Sequence, residues 1–418
     1  MLSCLRAAAL AASALAAVGA SADPLTLEEA WRIAEQANPA LRAAQSTFHA
    51  ARGQLTESRA PLFNNPEVSL ERGRTRIPNA DERYRAWGLG ISQTFEIAGQ
   101  QSRRRDAAEA ELAAVESNVG DTRAQLRAEV EQRFVQLLAL QLRAAVERET
   151  VALAEQADAA MQKRLEAGEV SKLDRNIAAV EAERARNQLT QVEERITEAR
   201  AELATLLQLP PSMMPEVAGD LRRDGPYTLD QLLGTAAQRH RLVSLARREE
   251  AARSRLDLER ASKYPDVTLG VTTGRDGPSE MRENIVGFSV SVPLPLFKRN
   301  DAGIGRAMTE LTQAQIERQA AERDTLAGVR AQWLRVTQLE ARARRLRDSV
   351  GKTLEENQRP ARRAFQEGEI GTSELVLVNR QLAELRRDVL EAEMELRLAR
   401  VALERAAGWT TETKGQGQ

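Results

Sequence analysis

The side chains of this chain that could do chemistry are mostly carboxylates, and four of them recur in register. Glu169 and Asp174 follow Gly168 within Leu165-Glu-Ala-Gly-Glu-Val-Ser-Lys-Leu-Asp174. Glu369 and Glu374 follow Gly368 within Phe365-Gln-Glu-Gly-Glu-Ile-Gly-Thr-Ser-Glu374, an offset of 200 residues. One acid beside a glycine and another in the first turn of a helix do not make an acid–base pair. They charge a surface, and the helical acid offsets the helix dipole. His49 and His240 are the only histidines and each is isolated on a helical stretch. Metal centres need clustered His, Cys or carboxylate ligands, so no dedicated metal site is expected. No paired-acid, Ser-His-Asp or Cys-His arrangement emerges, and no phosphate-cradling glycine loop follows a strand. The sequence therefore predicts neither an enzyme nor a cofactor site.

The repeated stretches each lie between long Ala/Arg/Glu/Leu-rich segments, so each reads as the sharp turn of a helical hairpin. Glycine suits a helix end because it adopts the left-handed conformation without a Cβ penalty. The duplication extends through the whole chain. Thr26-Leu-Glu-Glu-Ala-Trp opens a helix, with Thr26 able to cap it, a pause at Asn38-Pro39 and continuation to about Arg59; Thr228-Leu-Asp-Gln-Leu-Leu repeats it and is expected to continue to about Ser262. Asn65-Pro-Glu-Val-Ser-Leu-Glu71 is echoed by Tyr264-Pro-Asp-Val-Thr-Leu-Gly270, and both alternate as strands do. Val68 and Leu70 oppose Glu67, Ser69 and Glu71; Val267, Leu269 and Val271 oppose Thr268 and Gly270. Polar loops (74–83 and 274–284) lead to return strands, where Trp87, Leu89 and Ile91 share one face, as do Val286, Phe288 and Val290. Helical stretches of Gln100 to Glu166 and Asn300 to Gln366 follow, with return helices to Gln208 and Ala407. Pro360 is expected to kink the second long helix or end a segment. Helices this long need neighbours on at least one face.

Composition agrees. The chain has 418 residues, 29% charged and 42% hydrophobic but only 3% aromatic, a balance of long helices rather than a large conventional core. Net charge is −1, with basic and acidic residues interspersed, which excludes the concentrated basic surface that nucleic acid requires. Residues 1–22 read as a secretory signal: Arg6, an apolar run from Ala7 to Val18, and Ala20-Ser-Ala22 as the cleavage site. Cys4, the one cysteine, lies within it, so the chain after cleavage has neither a disulfide nor a lipid-anchor cysteine. The expected organisation is a signal (1–22), a first repeat (23–209, β-hairpin near 66–95), a linker (210–227), a second repeat (228–408, β-hairpin near 265–294) and a polar tail (409–418).

A secreted chain made twice of helix, β-hairpin, long helix, tip and return helix resembles the TolC-type outer-membrane efflux proteins. The duplicated Gly-Glu-Val/Ile tips, the Tyr-Pro-Asp-Val-Thr-Leu strand start and the Pro-Leu-Pro-Leu-Phe strand exit carry the resemblance. Compact length and the short linker make it most similar to the outer-membrane subunits of cobalt–zinc–cadmium and cobalt–nickel efflux systems. The resemblance implies a mainly α fold with a membrane β-barrel. A homotrimer would close twelve strands, four per protomer, in outer-membrane lipid above a helical periplasmic tunnel. It further implies a periplasmic adaptor and an inner-membrane proton-driven RND pump as partners, and the role of a passive exit duct for divalent heavy-metal cations. On this reading Gly168, Glu169, Val170, Gly368, Glu369 and Ile370 contact the adaptor. Asp174 and Glu374 are candidates for the pore constriction, where a carboxylate ring would favour cations. A second acidic position of the family is Leu377 here. Glu67, Ser69, Glu71 and Thr268 would face the lumen, and Val68, Leu70, Trp87, Leu269 and Phe288 lipid. A TolC-like channel for drug efflux or type I secretion, a periplasmic adaptor, and a structural coiled-coil protein remain the alternatives. Paired hairpins with matched strands in both halves count against the last two.

Overall fold

The computed structural model of the chain describes residues 24–76, 83–222, 227–277, 282–367 and 369–409. Residues 1–23, 77–82, 223–226 and 278–281, Gly368 and residues 410–418 lie outside the described residues, and with them the expected signal and polar tail and part of the expected loops and linker. The chain forms α1 (Leu27–Ala37), α2 (Pro39–Ser58), β1 (Glu67–Arg76), β2 (Arg83–Phe95), α3 (Gln100–Glu166) and α4 (Lys172–Leu206). The second half repeats the order as α5 (Leu229–Ala237), α6 (His240–Ala261), β3 (Val267–Asp276), β4 (Glu283–Ser291), α7 (Asp301–Glu367) and α8 (Thr372–Ala407). Two compact units result: Met1–Asn38 with Gln125–Tyr227 and Ala331–Arg405, and Pro39–Ala124 with Thr228–Arg330 and Ala406–Gln418.

The first unit is helical, and its helices start where the sequence supplies a cap. Thr26 and Glu29 form a reciprocal capping box at α1, and Ser171 and Asp174 do the same at α4. Its interior is built from small and branched residues, Val130, Leu137, Ala144, Val192, Leu203 and Leu403 among them. Charged groups are also buried there, and each is paired. The fully buried Glu147 accepts two hydrogen bonds from Arg387 (2.7 and 2.5 Å), and Arg397 pairs with Glu131 with both side chains nearly enclosed. Removing one member of such a pair leaves an uncompensated charge, so these pairs fix helix register strongly. The linker is not loose: Leu25 N–H donates to the Glu216 carbonyl (2.7 Å), Ala218 N–H donates to the Leu25 carbonyl (3.1 Å), and Val217 and Leu221 are buried.

The second unit holds the sheet, antiparallel throughout in the order β1-β2-β3-β4. Both β1 and β4 are edges. Beside it, α3 and α6 pack closely: Ser244 Oγ donates to the Ala114 carbonyl (3.1 Å), and a Cβ on Gly120 would sit 2.8 Å from Nδ1 of His240. Glu249 accepts from both Arg253 (2.9 Å) and Arg318 (2.6 Å).

Two sequence expectations are corrected, the unbroken helix from Thr228 to Ser262 and the extent of the polar loops. The helix expected from Thr228 to Ser262 breaks at Gln238–Arg239, although no proline stands there. Tertiary contacts explain the break: Arg239 donates to the Ala406 carbonyl (3.4 Å) and its side chain packs on Gly408, while His240 seats on Gly120. Of the two outcomes expected at Pro360, the end of a segment does not occur: α7 runs on to Glu367, with Ala361 and Phe365 held in an apolar cluster. The polar loops are shorter than expected, because residues 74–76, 274–276 and 283–284 pair as strand. Finally, β2 reaches 13 residues, longer than its neighbours of 9 or 10, because β1 and β3 pair with it over different parts of its length.

Candidate functional site

The two faces of the sheet differ in chemistry, with Thr273 on the apolar face and Ile285 on the other as exceptions. Register places Val68, Ile91, Val271 and Phe288 in one cross-strand row, and Leu70, Leu89, Thr273 and Val286 in the next toward the turns. Leu269 pairs with Val290 on the same face. These side chains are exposed: Val68 72%, Leu70 77% and Phe288 83%, with Trp87 and Leu269 near half. A contiguous apolar patch held out to solvent marks a membrane or partner surface. Among the described residues no helix is long and apolar enough to cross a membrane.

The opposite face carries small and polar side chains. Its rows are Glu67-Ser92-Gly270-Ser289, Ser69-Gly90-Thr272-Gly287 and Glu71-Gly88-Gly274-Ile285. Thr94 and Thr268 share a hydrogen bond of 2.8 Å between their hydroxyls. Space here is short. A Cβ on Gly270 would stand 2.5 Å from Ser289 Oγ, and one on Gly274 would stand 2.6 Å from the Trp87 carbonyl oxygen. Bulk on one face and its absence on the other suits a sheet that curls toward the small-residue side. All four acids of the described strands, Glu67, Glu71, Asp276 and Glu283, share this face.

At the foot of the sheet, the start of α3 gathers a polar cluster. Arg104 makes a two-pronged ion pair with Glu96 (2.7 and 2.9 Å) and stacks 3.5 Å from the centroid of the Phe63 ring. The buried Gln100 donates to Asp266 (3.3 Å) and accepts from Ala98 N–H (2.8 Å). Burial first, and then the neighbouring Glu96, push the Asp266 carboxyl above its ordinary value; Arg104 opposes them.

The first unit holds the other candidate region, the two tips. Gly168 has φ +77 and ends α3 as the sequence predicts. Glu169 N–H reaches the Arg164 carbonyl (2.9 Å) and Gly168 N–H reaches that of Leu165 (3.0 Å), which satisfies the last carbonyls of the helix. The second copy makes the equivalent bond from Glu369 N–H to the Ala364 carbonyl (2.8 Å). Both tips meet in one apolar cluster of Met161, Ala178, Phe365 and Leu375, against which Val170 and Ile370 pack. Arg164 lies 4.9 Å from the Phe365 ring centroid and Thr372 Oγ1 lies 3.0 Å from Met161 Sδ.

Of the tip residues expected to make contacts, Gly168, Glu169 and Glu369 are exposed, while Val170 and Ile370 are half-buried in the cluster. Gly368 is outside the described residues. Asp174 is the reciprocal member of the Ser171 cap, and Glu374 accepts from Gly371 N–H (3.2 Å), so each carboxylate serves its own helix start. Leu377, where the family's second acid would stand, is 53% exposed. No group of three or more potential metal ligands occurs among the described residues. Reading the sequence missed the arginines beyond the apolar rows. Arg72, Arg74 and Arg76 continue the parity of Val68 and Leu70, a signal hidden by assigning residues from 74 onward to a loop.

Comparison with known proteins places this architecture. The family described as outer membrane efflux protein matches residues 31–208 and 233–409, one copy on each half of the duplication. The cobalt-zinc-cadmium resistance protein CzcC of Cupriavidus metallidurans is 28% identical over 298 residues, 71% of this chain and 69% of that protein. Among solved structures, the Vibrio cholerae outer membrane protein VceC superposes with a TM-score of 0.75 at 18% identity, covering 91% of this chain and 96% of that one. The Campylobacter jejuni outer membrane channel CmeC gives 0.76 at 13% identity, covering 93% and 88%.

Proposed function

The chain belongs to the outer membrane efflux protein family, and from that premise we propose that it is the exit duct of a tripartite system exporting divalent heavy-metal cations. It is an outer-membrane efflux channel, a transport duct and not an enzyme. The reading added here is the cargo, the assembly and the partners. The single observation that carries it is the parity of the sheet: every described strand acid falls on the small-residue face, opposite an apolar face.

An apolar sheet with two unpaired edges cannot lie in lipid, because its edge N–H and C=O groups would have no partner. Copies joining β4 of one to β1 of the next remove both edges, and three copies close twelve strands. In that closure Glu67, Ser69, Glu71 and Thr268 line the lumen, and Val68, Leu70, Trp87, Leu269 and Phe288 meet lipid. An acidic, narrow-walled lumen favours cations over anions. The 28% identity to a protein named for cobalt, zinc and cadmium resistance supports metal as the cargo. With no ligand cluster on the described residues, the duct conducts without choosing, and selection falls to an inner-membrane RND pump.

The helical unit is then periplasmic, delivered by the signal of residues 1–22, and its tips dock an adaptor. Gly168, Glu169 and Glu369 present the exposed contact, and Val170 and Ile370 hold the two tips together as one surface; Gly368 completes the contact on the second tip. Asp174 and Glu374 cap their helices and are the carboxylates that would line a constriction in the assembled trimer.

The test is growth of a strain lacking this protein on graded cobalt, nickel, zinc and cadmium, and in parallel on hydrophobic drugs and detergents, with the gene restored on a plasmid. Restored tolerance to the metals alone supports the reading. Restored tolerance to drugs alone keeps the duct and overturns the cargo.

A further inference from the structure

Beyond the apolar rows, the same face of the sheet turns abruptly basic. Trp87 pairs with Arg72 on one side and Arg275 on the other, and Arg275 Nε donates to Asn284 Oδ1 at 3.0 Å. One row further toward the turns, Arg74 stands directly opposite Arg85; a row beyond that, Arg76 stands opposite Arg83. All six arginines are exposed. No Asp or Glu shares this face among the described strand residues, since Glu67, Glu71, Asp276 and Glu283 are all on the other.

The cross-strand pair Arg74–Arg85 is unfavourable on its own, because like charges directly opposite each other repel. The strand could have interleaved acids, as the helices of this chain do throughout, and it does not. An arrangement of this kind is relieved by an anion, and guanidinium groups in adjacent rows bind phosphate oxygens in a two-pronged manner. The location narrows the anion further. The arginines lie on the apolar face, not the small-residue face, and begin at the tryptophan that ends the apolar rows. The span from the Val68/Ile91 row to the Arg74/Arg85 row is on the order of 20 Å along the strands. A ligand reaching both levels needs a phosphate head and a long apolar body.

We propose that Arg72, Arg74, Arg76, Arg83, Arg85 and Arg275 form a binding surface for a phosphate-bearing lipid of the leaflet at the turn end of the sheet. Its acyl chains lie against Leu70, Leu89 and Phe288. The inference rests on the reading of this face as lipid-facing. In the outer leaflet the ligand chemistry is that of a diphosphorylated glucosamine lipid.

The experiment uses the full chain purified in dodecylmaltoside and incubated with diphosphoryl lipid A, with the same lipid after removal of its phosphates, or with inorganic phosphate as competitor. Bound glucosamine is measured after gel filtration. The expected result is retention of the diphosphoryl form at least five-fold above the dephosphorylated form, falling as salt rises. The Arg74→Gln/Arg85→Gln variant should lose at least five-fold of that retention, and Arg74→Lys/Arg85→Lys should keep an intermediate level. In lipid-free detergent the Gln variant should resist heat at least as well as the parent, because the repulsion is gone. A purely structural role for these arginines would instead lower its heat resistance. Equal retention of both lipid forms, unchanged retention by the Gln variant, or displacement by millimolar inorganic phosphate would each overturn the proposal. Failure of the underlying reading has its own signature: a cysteine at Phe288 labelled rapidly in whole cells by a charged thiol reagent.

Discussion

The apolar and small-residue faces of the sheet are made by the same four strands, read at alternate positions, and they share almost no residue type. One face is mostly Val, Leu, Ile, Phe and Trp, ending in arginines; the other is mostly Gly, Ser and Thr with all the acids of the described strands, Ile285 and Tyr84 being its large side chains. A soluble two-layer protein would bury the apolar face and wet the other. Here the apolar face is the more open, with Phe288 83% exposed, and the small-residue face is crowded enough that Gly274 has no room for a methyl group. The difference teaches that this sheet is inverted relative to a soluble one: its apolar side is the open one and its small-residue side the crowded one, which is what the proposed lipid and lumen faces require.

The comparison can be broken most forcefully from the apolar side. Leu269→Arg is expected to cost about 2–4 kcal/mol if the position lies at mid-bilayer, whereas Thr272→Arg on the opposite face should assemble nearly normally. Urea titration of the protein folded into lipid vesicles measures both, and equal losses would erase the distinction between faces. From the small-residue side, Gly274→Ala forces a Cβ against the Trp87 backbone and should cost about 1–3 kcal/mol through overpacking. Gly270→Ala meets only a serine hydroxyl that can rotate away, so it should cost clearly less in the same titration.

Charge gives two finer probes. Neutralising the acids with Glu67→Gln/Glu71→Gln should lower the cation-over-anion permeability ratio in planar bilayers without changing stability, measured as the reversal potential under a salt gradient. Asp266→Asn should have the smallest effect. The native carboxyl titrates above its ordinary value of 3.8 because burial and Glu96 disfavour its charge. The folded state therefore holds this proton more tightly than the unfolded one, and the ionised group becomes a burden as pH rises from 3.8 through the raised value. The Asn variant should be the more stable above that window and equal to the parent below it; a difference that grows on acidification would contradict this cause.

Much of this was legible in the sequence because it depends on local pattern. The tip turn at Gly168 follows from glycine's access to positive φ, the caps from Thr26 and its repeat Thr228, and the strand faces from alternation at 67–71, 87–91 and 267–271. What could not be read depends on distant contacts. The break before His240 is set by Gly120, Ala406 and Gly408, residues more than a hundred positions away. Likewise α7 survives Pro360 as part of a cluster that includes Met161 of the other repeat. Nor could the sequence show that Val170 and Ile370, candidate adaptor contacts, both pack against one apolar cluster drawn from the two repeats. The arginine rows were lost for a different reason: their alternation is visible, but polar residues next to Gly73 resembled a loop.

The most direct test of the account is an accessibility scan along β3 and β4. Cys4 is the one cysteine of the sequence, so in a Cys4→Ser background single cysteines at Thr268, Leu269, Gly270, Val271 and Thr272, and at Phe288 and Ser289, can be read without interference. Cells would be exposed to a small charged thiol reagent and the extent of labelling measured by mass shift. The account predicts labelling at Thr268, Gly270, Thr272 and Ser289 and protection at Leu269, Val271 and Phe288. Protection of the first set with labelling of the second, or labelling without alternation, would contradict it.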